Sequence, residues 1–312
     1  MQKFIIPTIL AILLIASGIS AISLFESKIL PTGDILSNLV NIDFSIILNN
    51  DNYATNHGKK IPVVAGVSNI NTPVLPKNLP SPPKAGGVPI LMYHHIGYNY
   101  DPYETLLPII KPDNLVVTDA NFLIQMTYLY QNNYNTTDVY AVEQMAINKQ
   151  KIPAKTVVLT FDDSYRDFYY DAFPVLKKYN LHAEVYIITG NIEKPDYLTI
   201  DMLKELRDSG LITISSHTVH HISLASAFPD QVKLEIIESK RFIEDNLNIK
   251  VNDFCYPSGA TSDIAVRTLQ ASGYTTATTT KGGFWTPGAS QYLIPRQRIS
   301  TGTGLKAYIG LL

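Results

Sequence analysis

Two groups of side chains in this sequence have the residue types that metal-dependent hydrolysis requires. The first is the adjacent pair Asp162-Asp163, which follows the apolar run 157–159. The second is the segment 217–221, in which His217 and His221 stand four positions apart. Carboxylate oxygen and imidazole nitrogen are ligands that zinc takes at about 2.0–2.2 Å. Two histidines and one aspartate would leave a coordination position open for water, as in catalytic zinc sites.

Both groups could also have a purely structural role. An aspartate before Ser164 often caps a helix, so the acidic pair could be a simple turn. His217 could likewise cap a turn while His221 packs on the surface. On a helical turn, histidines at i and i+4 share one face and can bind one ion, whereas His220 would face away. The presence of both groups in one chain favours the metal site.

The elements around these residues indicate an α/β domain. The run Val157-Val158-Leu159 predicts a buried strand, because it is apolar throughout and rich in β-branched residues. Such strands present catalytic groups at their carboxyl ends. From residue 88 onward predicted strands and helices alternate, which implies parallel strands with helices outside and suits a deformed or incomplete barrel of about seven βα units. The predicted strands are 89–93, 157–161, 182–188, 211–215 and 254–256, and the predicted helices are 120–130, 139–147, 165–179, 199–208, 230–246 and 262–271.

The composition sets further bounds. With 312 residues, of which 46% are hydrophobic, the chain can form one large domain with extensions. Its net charge of −2 gives no argument for a nucleic-acid partner, and we expect none. Cys255 is the single cysteine, which excludes an internal disulfide and a zinc site built on cysteines. Any metal must therefore be held by histidine and carboxylate, and Cys255 itself is expected to be a small buried apolar residue.

The amino-terminal residues predict export from the cytoplasm. Residues 1–25 contain an apolar or small run from Phe4 to Leu24, about long enough to cross a bilayer as a helix. We expect an uncleaved signal anchor that holds the protein at the cell membrane; the alternative is a signal peptide cleaved after Ser20, which would give a secreted protein. Residues 26–87, Pro-rich at 73–83, are expected to form a stalk, with a wrap on the domain surface as the alternative. Residues 88–312 would form the catalytic domain.

Three segments together carry a resemblance to a known family. Thr160-Phe161-Asp162-Asp163 and His217-Thr218-x-x-His221 resemble the first two motifs of the NodB-type polysaccharide deacetylases, carbohydrate esterase family 4, in sequence and in spacing. The segment 89–96, PILMYHHI, resembles the opening strand of a permuted branch that includes the exported poly-N-acetylglucosamine deacetylases. The resemblance covers about residues 88–300 and implies that the α/β domain is a deformed or incomplete (β/α)7 barrel of the NodB-homology type.

The resemblance also implies roles for individual residues. Asp163, His217 and His221 would bind one divalent ion, with zinc expected and cobalt, nickel or iron as alternatives. The ion would polarise the acetyl carbonyl and lower the pKa of its water. Asp162, beside the ion but not a ligand, would be the general base. His94 would protonate the departing sugar amine.

Other implied roles are less directly supported by the motifs. The backbone N–H of Tyr256 would hold the oxyanion. His94 and His95 could instead be a strand-end pair that makes backbone hydrogen bonds. Trp285, in a Gly-rich loop, could stack on a sugar ring or else cap the barrel core. The family's third motif usually carries an arginine that orients the base, and in this chain Cys255 stands at that position.

A replacement for that arginine has to come from elsewhere in the chain. Our candidate is Arg296, because the strand-like segment 294–298 resembles the closing strand of the permuted branch; the alternative is a solvated surface charge. The expected function is metal-dependent hydrolysis of N-acetyl groups from an extracellular or cell-wall polymer of N-acetylglucosamine. The alternatives are a catalytically inactive carbohydrate-binding module on the same scaffold and an O-acetyl esterase of the xylan type. The expected partners are the polysaccharide and, through residues 1–25, the membrane; we expect a monomer.

Overall fold

The computed structural model describes residues 53–56, 59–62, 70–83, 86–97 and 115–312. The chain divides into two compact units, residues 1–63 and residues 64–312. In the first unit the described backbone is an antiparallel hairpin of β1 (Tyr53–Asn56) and β2 (Lys59–Pro62). The predicted membrane segment, residues 1–25, lies outside the described residues. Within the described ranges no helix combines the length and the apolar character needed to cross a membrane.

The Pro-rich segment packs on the second unit rather than extending from it. Residues 70–83 form neither helix nor strand, as their prolines predict. Ile70, Leu75 and Leu79 are nevertheless partly buried against the main hydrophobic core. Such contacts are those that the alternative of a surface wrap implies for residues 70–83, because apolar side chains between the prolines cover part of the core.

The second unit alternates strands and helices, as the sequence predicts. Its strands are β3 (Ile90–Tyr93), β4 (His95–Ile96), β5 (Val116–Val117), β6 (Asn135–Thr137), β7 (Thr156–Phe161), β8 (Ala183–Ile187), β9 (Ile212–Ser216), β10 (Asp253–Cys255), β11 (Thr276–Thr278) and β12 (Gln297–Arg298). Its α-helices are α1 (Asp119–Gln131), α2 (Val139–Ile147), α3 (Phe173–Tyr179), α4 (Ile200–Asp208), α5 (Pro229–Leu247), α6 (Asp263–Ala271) and α7 (Leu305–Ile309).

Eight of these strands form one parallel sheet in the order β11-β10-β9-β8-β7-β3-β12, with β6 also paired to β7. The other two, β4 and β5, form a separate parallel pair. An isolated parallel bridge between Thr278 and Ile294 connects the β11 edge to the segment that precedes β12. The predicted parallel α/β architecture is confirmed. The bridge between Thr278 and Ile294 brings the two edges of the sheet together, in line with the expected deformed or incomplete barrel. Because the strands are parallel, their carboxyl ends share one edge, where the residues that follow β3, β7, β9 and β10 meet.

The central strand has the environment that its sequence predicts. All six residues of β7 are buried, and Leu91 of β3 pairs with Leu159 of β7. The ring of Phe161 stacks on that of Tyr93, with centroids 5.0 Å apart. Burial of each such side chain stabilises the fold by about 1.5–3 kcal/mol. The end of β7 is therefore a rigid support for the two aspartates that follow it.

The predicted helix 165–179 is divided into two parts. Phe168–Ala172 is a π-helical turn, and the regular helix α3 begins only at Phe173. Pro174 occupies the first turn of α3. Proline has no N–H to donate to the preceding turn, so the regular hydrogen-bond ladder cannot run through this position. The helix ends at Asn180, which adopts the left-handed conformation.

Candidate active site

The aspartate pair lies at a sharp turn after β7. The N–H of Asp162 donates to the carbonyl of Tyr93 at 3.0 Å, so this residue still belongs to the sheet. Asp163 and Ser164 both have positive φ angles, 74° and 59°. Non-glycine residues adopt this conformation at a cost that often marks a functional site. Neighbouring side chains on a strand normally point to opposite faces of the sheet. The turn explains how those of Asp162 and Asp163 can both lie at the same edge of the sheet.

Asp163, His217 and His221 converge on one point. The Oδ1 atom of Asp163 lies 3.4 Å from Nε2 of His217 and 3.4 Å from Nε2 of His221. The two imidazole rings are 4.8 Å apart at an angle of 74°. Nδ1 of His217 lies 2.7 Å from the carbonyl oxygen of Cys255. A carbonyl can only accept, so Nδ1 carries the proton and Nε2 presents a lone pair, as in metal-ligating histidines.

These three residues fit a divalent metal ion. Within the described ranges, the buried Oδ1 of Asp163 has no hydrogen-bond donor, although it faces two imidazole nitrogens. The possible ligand atoms of Asp163, His217 and His221 all lie within 4.8 Å of one another. An ion between them would pair acceptors that otherwise face each other, and the two-histidine, one-carboxylate set suits zinc. The side chain of His221 is 34% exposed, whereas that of His217 is 2% exposed, so the open side of the site is next to His221.

The two histidines do not share a helical turn, contrary to our reasoning from their spacing. Residues 217–221 form an irregular loop in which Thr218 and His221 have positive φ angles. The N–H of His221 donates to the Thr218 hydroxyl at 2.9 Å. His220 faces away from the site, as expected, and its ring lies 2.7 Å from Glu235.

Glu235 of α5 was not identified from the sequence. Its Oε2 accepts the N–H groups of Val219 and His220 at 2.8 and 2.7 Å, and the residue is 3% exposed. It therefore fixes the loop that carries both histidines. The signal was available, because Glu235 stands beside Ile236 on the apolar face of a helix, where a charged residue needs a partner.

Arg296 binds Asp162 in a bidentate pair, as predicted. Its Nη1 and Nη2 atoms lie 2.7 Å from Oδ1 and 2.7 Å from Oδ2 of Asp162. Arg296 is 0% exposed and Asp162 is 4% exposed, so the alternative of a solvated surface charge is excluded. Burial opposes ionisation of Asp162, but the Arg296 guanidinium outweighs it and holds the pKa of the carboxyl well below its usual value. Asp162 is therefore a carboxylate at neutral pH.

His94 and His95 point to different surroundings. Nε2 of His94 lies 3.8 Å from Oδ2 of Asp162, and the residue is 8% exposed. Burial lowers the pKa of His94, and the charges of Asp162 and Asp163 partly oppose this shift. Nδ1 of His95 lies 2.5 Å from Asp167, away from this pair. Of the two histidines, His94 is the one beside the acidic pair.

Two predicted substrate contacts need correction. The N–H of Tyr256 donates to the carbonyl of Thr278 at 3.1 Å in the sheet, so it is not free to hold an oxyanion. Trp285 is 1% exposed; its ring packs beside Val88 and its indole N–H donates to Glu143 at 3.1 Å. The ring has no exposed face for a sugar, and the alternative that Trp285 caps the core is correct.

Aromatic rings do lie near the site opening, on other residues. Tyr165 stacks on His95 with ring centroids 3.6 Å apart and on Tyr197 at 5.6 Å. Both tyrosines are half-buried. Burial, and then the charge of Asp163, raise the pKa of both phenols.

Comparisons with known proteins show which proteins this chain is similar to. The family model described as "Polysaccharide deacetylase" matches residues 149–277. The Bacillus subtilis protein YxkH, named as a polysaccharide deacetylase, is 31% identical over 72% of this chain and 76% of its own length. The poly-beta-1,6-N-acetyl-D-glucosamine N-deacetylase of Staphylococcus aureus is 27% identical over 58% of this chain and 62% of its own length, which is less than two thirds.

Solved structures show the same relationship. The Streptococcus pyogenes deacetylase PplD, solved in complex with acetate, superposes with a TM-score of 0.64 and 29% identity, covering 73% of this chain and 97% of that chain. IcaB from Ammonifex degensii superposes with a TM-score of 0.61 at 20% identity, covering 72% of this chain and 97% of that chain. The second likeness concerns the fold alone.

Proposed function

The chain belongs to the polysaccharide deacetylase family and is a hydrolase of carbon–nitrogen bonds other than peptide bonds, and on this premise we propose that it removes N-acetyl groups from a polymer of N-acetylglucosamine outside the cytoplasm. The convergence of Asp163, His217 and His221 on one point, with Asp162 held beside them by Arg296, is the observation that carries the proposal. The relatives named as N-deacetylases of poly-beta-1,6-N-acetyl-D-glucosamine support the choice of substrate class.

Asp163, His217 and His221 would hold one divalent ion, with zinc expected from the ligand set and cobalt, nickel or iron as alternatives. When bound there, the ion supplies Lewis acidity that polarises the acetyl carbonyl and lowers the pKa of a neighbouring water. The Nδ1–H of His217, bonded to the Cys255 carbonyl, keeps the ring in the tautomer that this role needs.

Asp162 would accept the proton of the attacking water. The guanidinium of Arg296 keeps it ionised and, by binding both oxygens, directs it away from the ligand position. His94, whose Nε2 lies 3.8 Å from Oδ2 of Asp162, would deliver a proton to the departing sugar amine. Burial lowers the pKa of His94 in spite of the nearby carboxylates, so the protonated form of its ring gives up a proton readily.

A backbone N–H of the turn after β10 would hold the oxyanion. With Tyr256 bonded in the sheet and Pro257 without an N–H, the next candidate is Ser258. Ser258 has a φ of 52°, and within the described residues its N–H donates to no backbone carbonyl. For sugar rings, Tyr165 and Tyr197 replace Trp285 as the proposed stacking surface.

We also propose that residues 1–25 export the protein and anchor it at the cell membrane, with secretion after cleavage as the alternative, and that the enzyme acts as a monomer. The inactive carbohydrate-binding alternative rested on the missing arginine of the third motif, and the contact between Arg296 and Asp162 removes that reason. An O-acetyl esterase of the xylan type uses the same groups, so substrate has to be tested directly.

The test is acetate release by the purified protein from four substrates: β-1,6-linked N-acetylglucosamine oligomers, chitin oligomers, peptidoglycan fragments and acetylated xylan. Each product is identified by mass, before and after chelation and zinc addition, with Asp162→Asn as the inactive control. We expect an N-acetylglucosamine oligomer to lose acetyl groups, seen as a lower product mass. We expect chelation to stop this loss and zinc to restore it. Release from xylan alone would contradict the proposal.

A further inference from the structure

Every donor of the buried Arg296 guanidinium has an acceptor. Arginine carries five N–H donors, and a fully buried charge needs all of them paired. Nε donates to the carbonyl of Thr279 at 3.0 Å, and Nη1 donates to the hydroxyl of Thr160 at 3.0 Å. Both Nη atoms donate to Asp162. The remaining donor, on Nη2, lies 3.1 Å from the sulfur of Cys255.

Cys255 therefore contacts the site through both its side chain and its backbone. Its Sγ atom lies 3.8 Å from Oδ2 of Asp162, and the residue is 0% exposed. Its carbonyl accepts the Nδ1–H of His217. One residue thus contacts the candidate base, the arginine that holds the base, and a candidate metal ligand. This position differs from the inert apolar surroundings that the sequence led us to expect.

We propose that Cys255 is a positioning residue of the deacetylation reaction. Its sulfur completes the acceptor set of Arg296, and this keeps the guanidinium in the plane that places the Asp162 carboxylate beside the metal site. The inference rests on the proposed function. It assigns no nucleophilic or redox step to the thiol, which is fully buried.

The test compares variants that keep or remove the acceptor at this position. Cys255→Ala removes it, and one donor of a buried guanidinium is left unpaired; we expect kcat to fall about tenfold with little change in KM. Cys255→Ser restores an acceptor and should recover most of the lost turnover. In an Arg296→Ala background, Cys255→Ala should cause no further loss, because the interaction has already been removed.

Ser239→Ala is the matched control. It also deletes one buried side-chain atom, and Ser239 bonds to Ser216 at 2.7 Å in a fully buried position. It should lower the melting temperature and leave kcat unchanged. If Cys255→Ala is too unstable to purify, Cys255→Val, which has no acceptor, takes its place.

The inference is overturned if Cys255→Ala retains the wild-type kcat. It is also overturned if Cys255→Ala lowers kcat as much in the Arg296→Ala background as in the wild-type background. Failure of the proposed function gives a different pattern, namely a wild-type protein that releases no acetate from any N-acetylglucosamine polymer. In that case a chromogenic aryl acetate replaces the polymer and the same double-mutant cycle decides. A wild type that is inactive on both substrates would overturn both proposals.

Discussion

Replacing Arg296 by alanine is the most informative perturbation of this site. It removes both hydrogen bonds and the countercharge from Asp162, which is 4% exposed. Breaking a buried ion pair by removing one partner costs about 3–5 kcal/mol of stability. The uncompensated carboxylate avoids that penalty in part by taking up a proton, and a protonated Asp162 cannot serve as a base.

The expected loss of turnover follows from this reasoning. General base catalysis contributes about 10²–10⁴-fold to rate, so a base that is protonated or displaced should lower kcat by about 100-fold or more. KM should change by only a few-fold, because the guanidinium is fully buried and has no surface for substrate. The assay is initial-rate acetate release over a range of oligosaccharide concentrations, with folding verified by circular dichroism.

Arg298→Ala is the matched control, because Arg298 lies only two residues after Arg296, in β12, but is exposed. It should change kcat by no more than about twofold, in line with the small effects of surface charges. A normal kcat in Arg296→Ala, or an equal loss in both variants, would refute the assignment of Arg296 as the partner of the base.

Three further predictions concern the metal, the core and pH. His221→Ala removes one of three ligands and should weaken zinc binding at least about tenfold in a calorimetric titration, whereas His182→Ala should retain one zinc per chain; equal affinities would exclude His221 as a ligand. Trp285→Phe breaks the bond to Glu143 and should lower the free energy of unfolding by about 1–3 kcal/mol with KM unchanged; a raised KM at unchanged stability would restore the sugar-stacking role. Burial, and then the charge of Asp138, raise the pKa of Glu184 from 4.5 to about 7. The folded protein therefore keeps a proton that the unfolded chain loses, so stability falls as pH rises from 4.5 through 7. Glu184→Gln should consequently raise the melting temperature more at pH 8 than at pH 4.5, and an equal shift at both pH values would contradict this linkage.

The sequence predicted those features that depend on local pattern. Helices α1, α2, α4, α5 and α6 lie within a few residues of the predicted ranges, because each combines a capping side chain or proline with an apolar face. The aspartate and histidine groups were found because both motifs are short and contiguous. Arg296 was found through the likeness of its strand to a closing strand, and the structure places it on Asp162.

The errors share a different physical cause. The N–H of Tyr256 is occupied because β10 pairs with β11, and no pattern within one strand reveals which neighbour its backbone bonds. Trp285 is covered by residues such as Glu143, far away in the chain. Cys255 looked inert because its partner Arg296 comes from another strand. In each case the decisive contact is between segments that only the folded chain brings together.

The pairing of β12 with β3 has a consequence for when the protein becomes active. Gln297 pairs with Leu91, so Arg296 reaches the site only when this closing strand docks beside the first strand of the sheet. During synthesis, the segments that carry the candidate metal ligands emerge long before that arginine does. On the proposed function, a nascent chain would be able to bind its metal early but would begin hydrolysis only after the closing strand has docked.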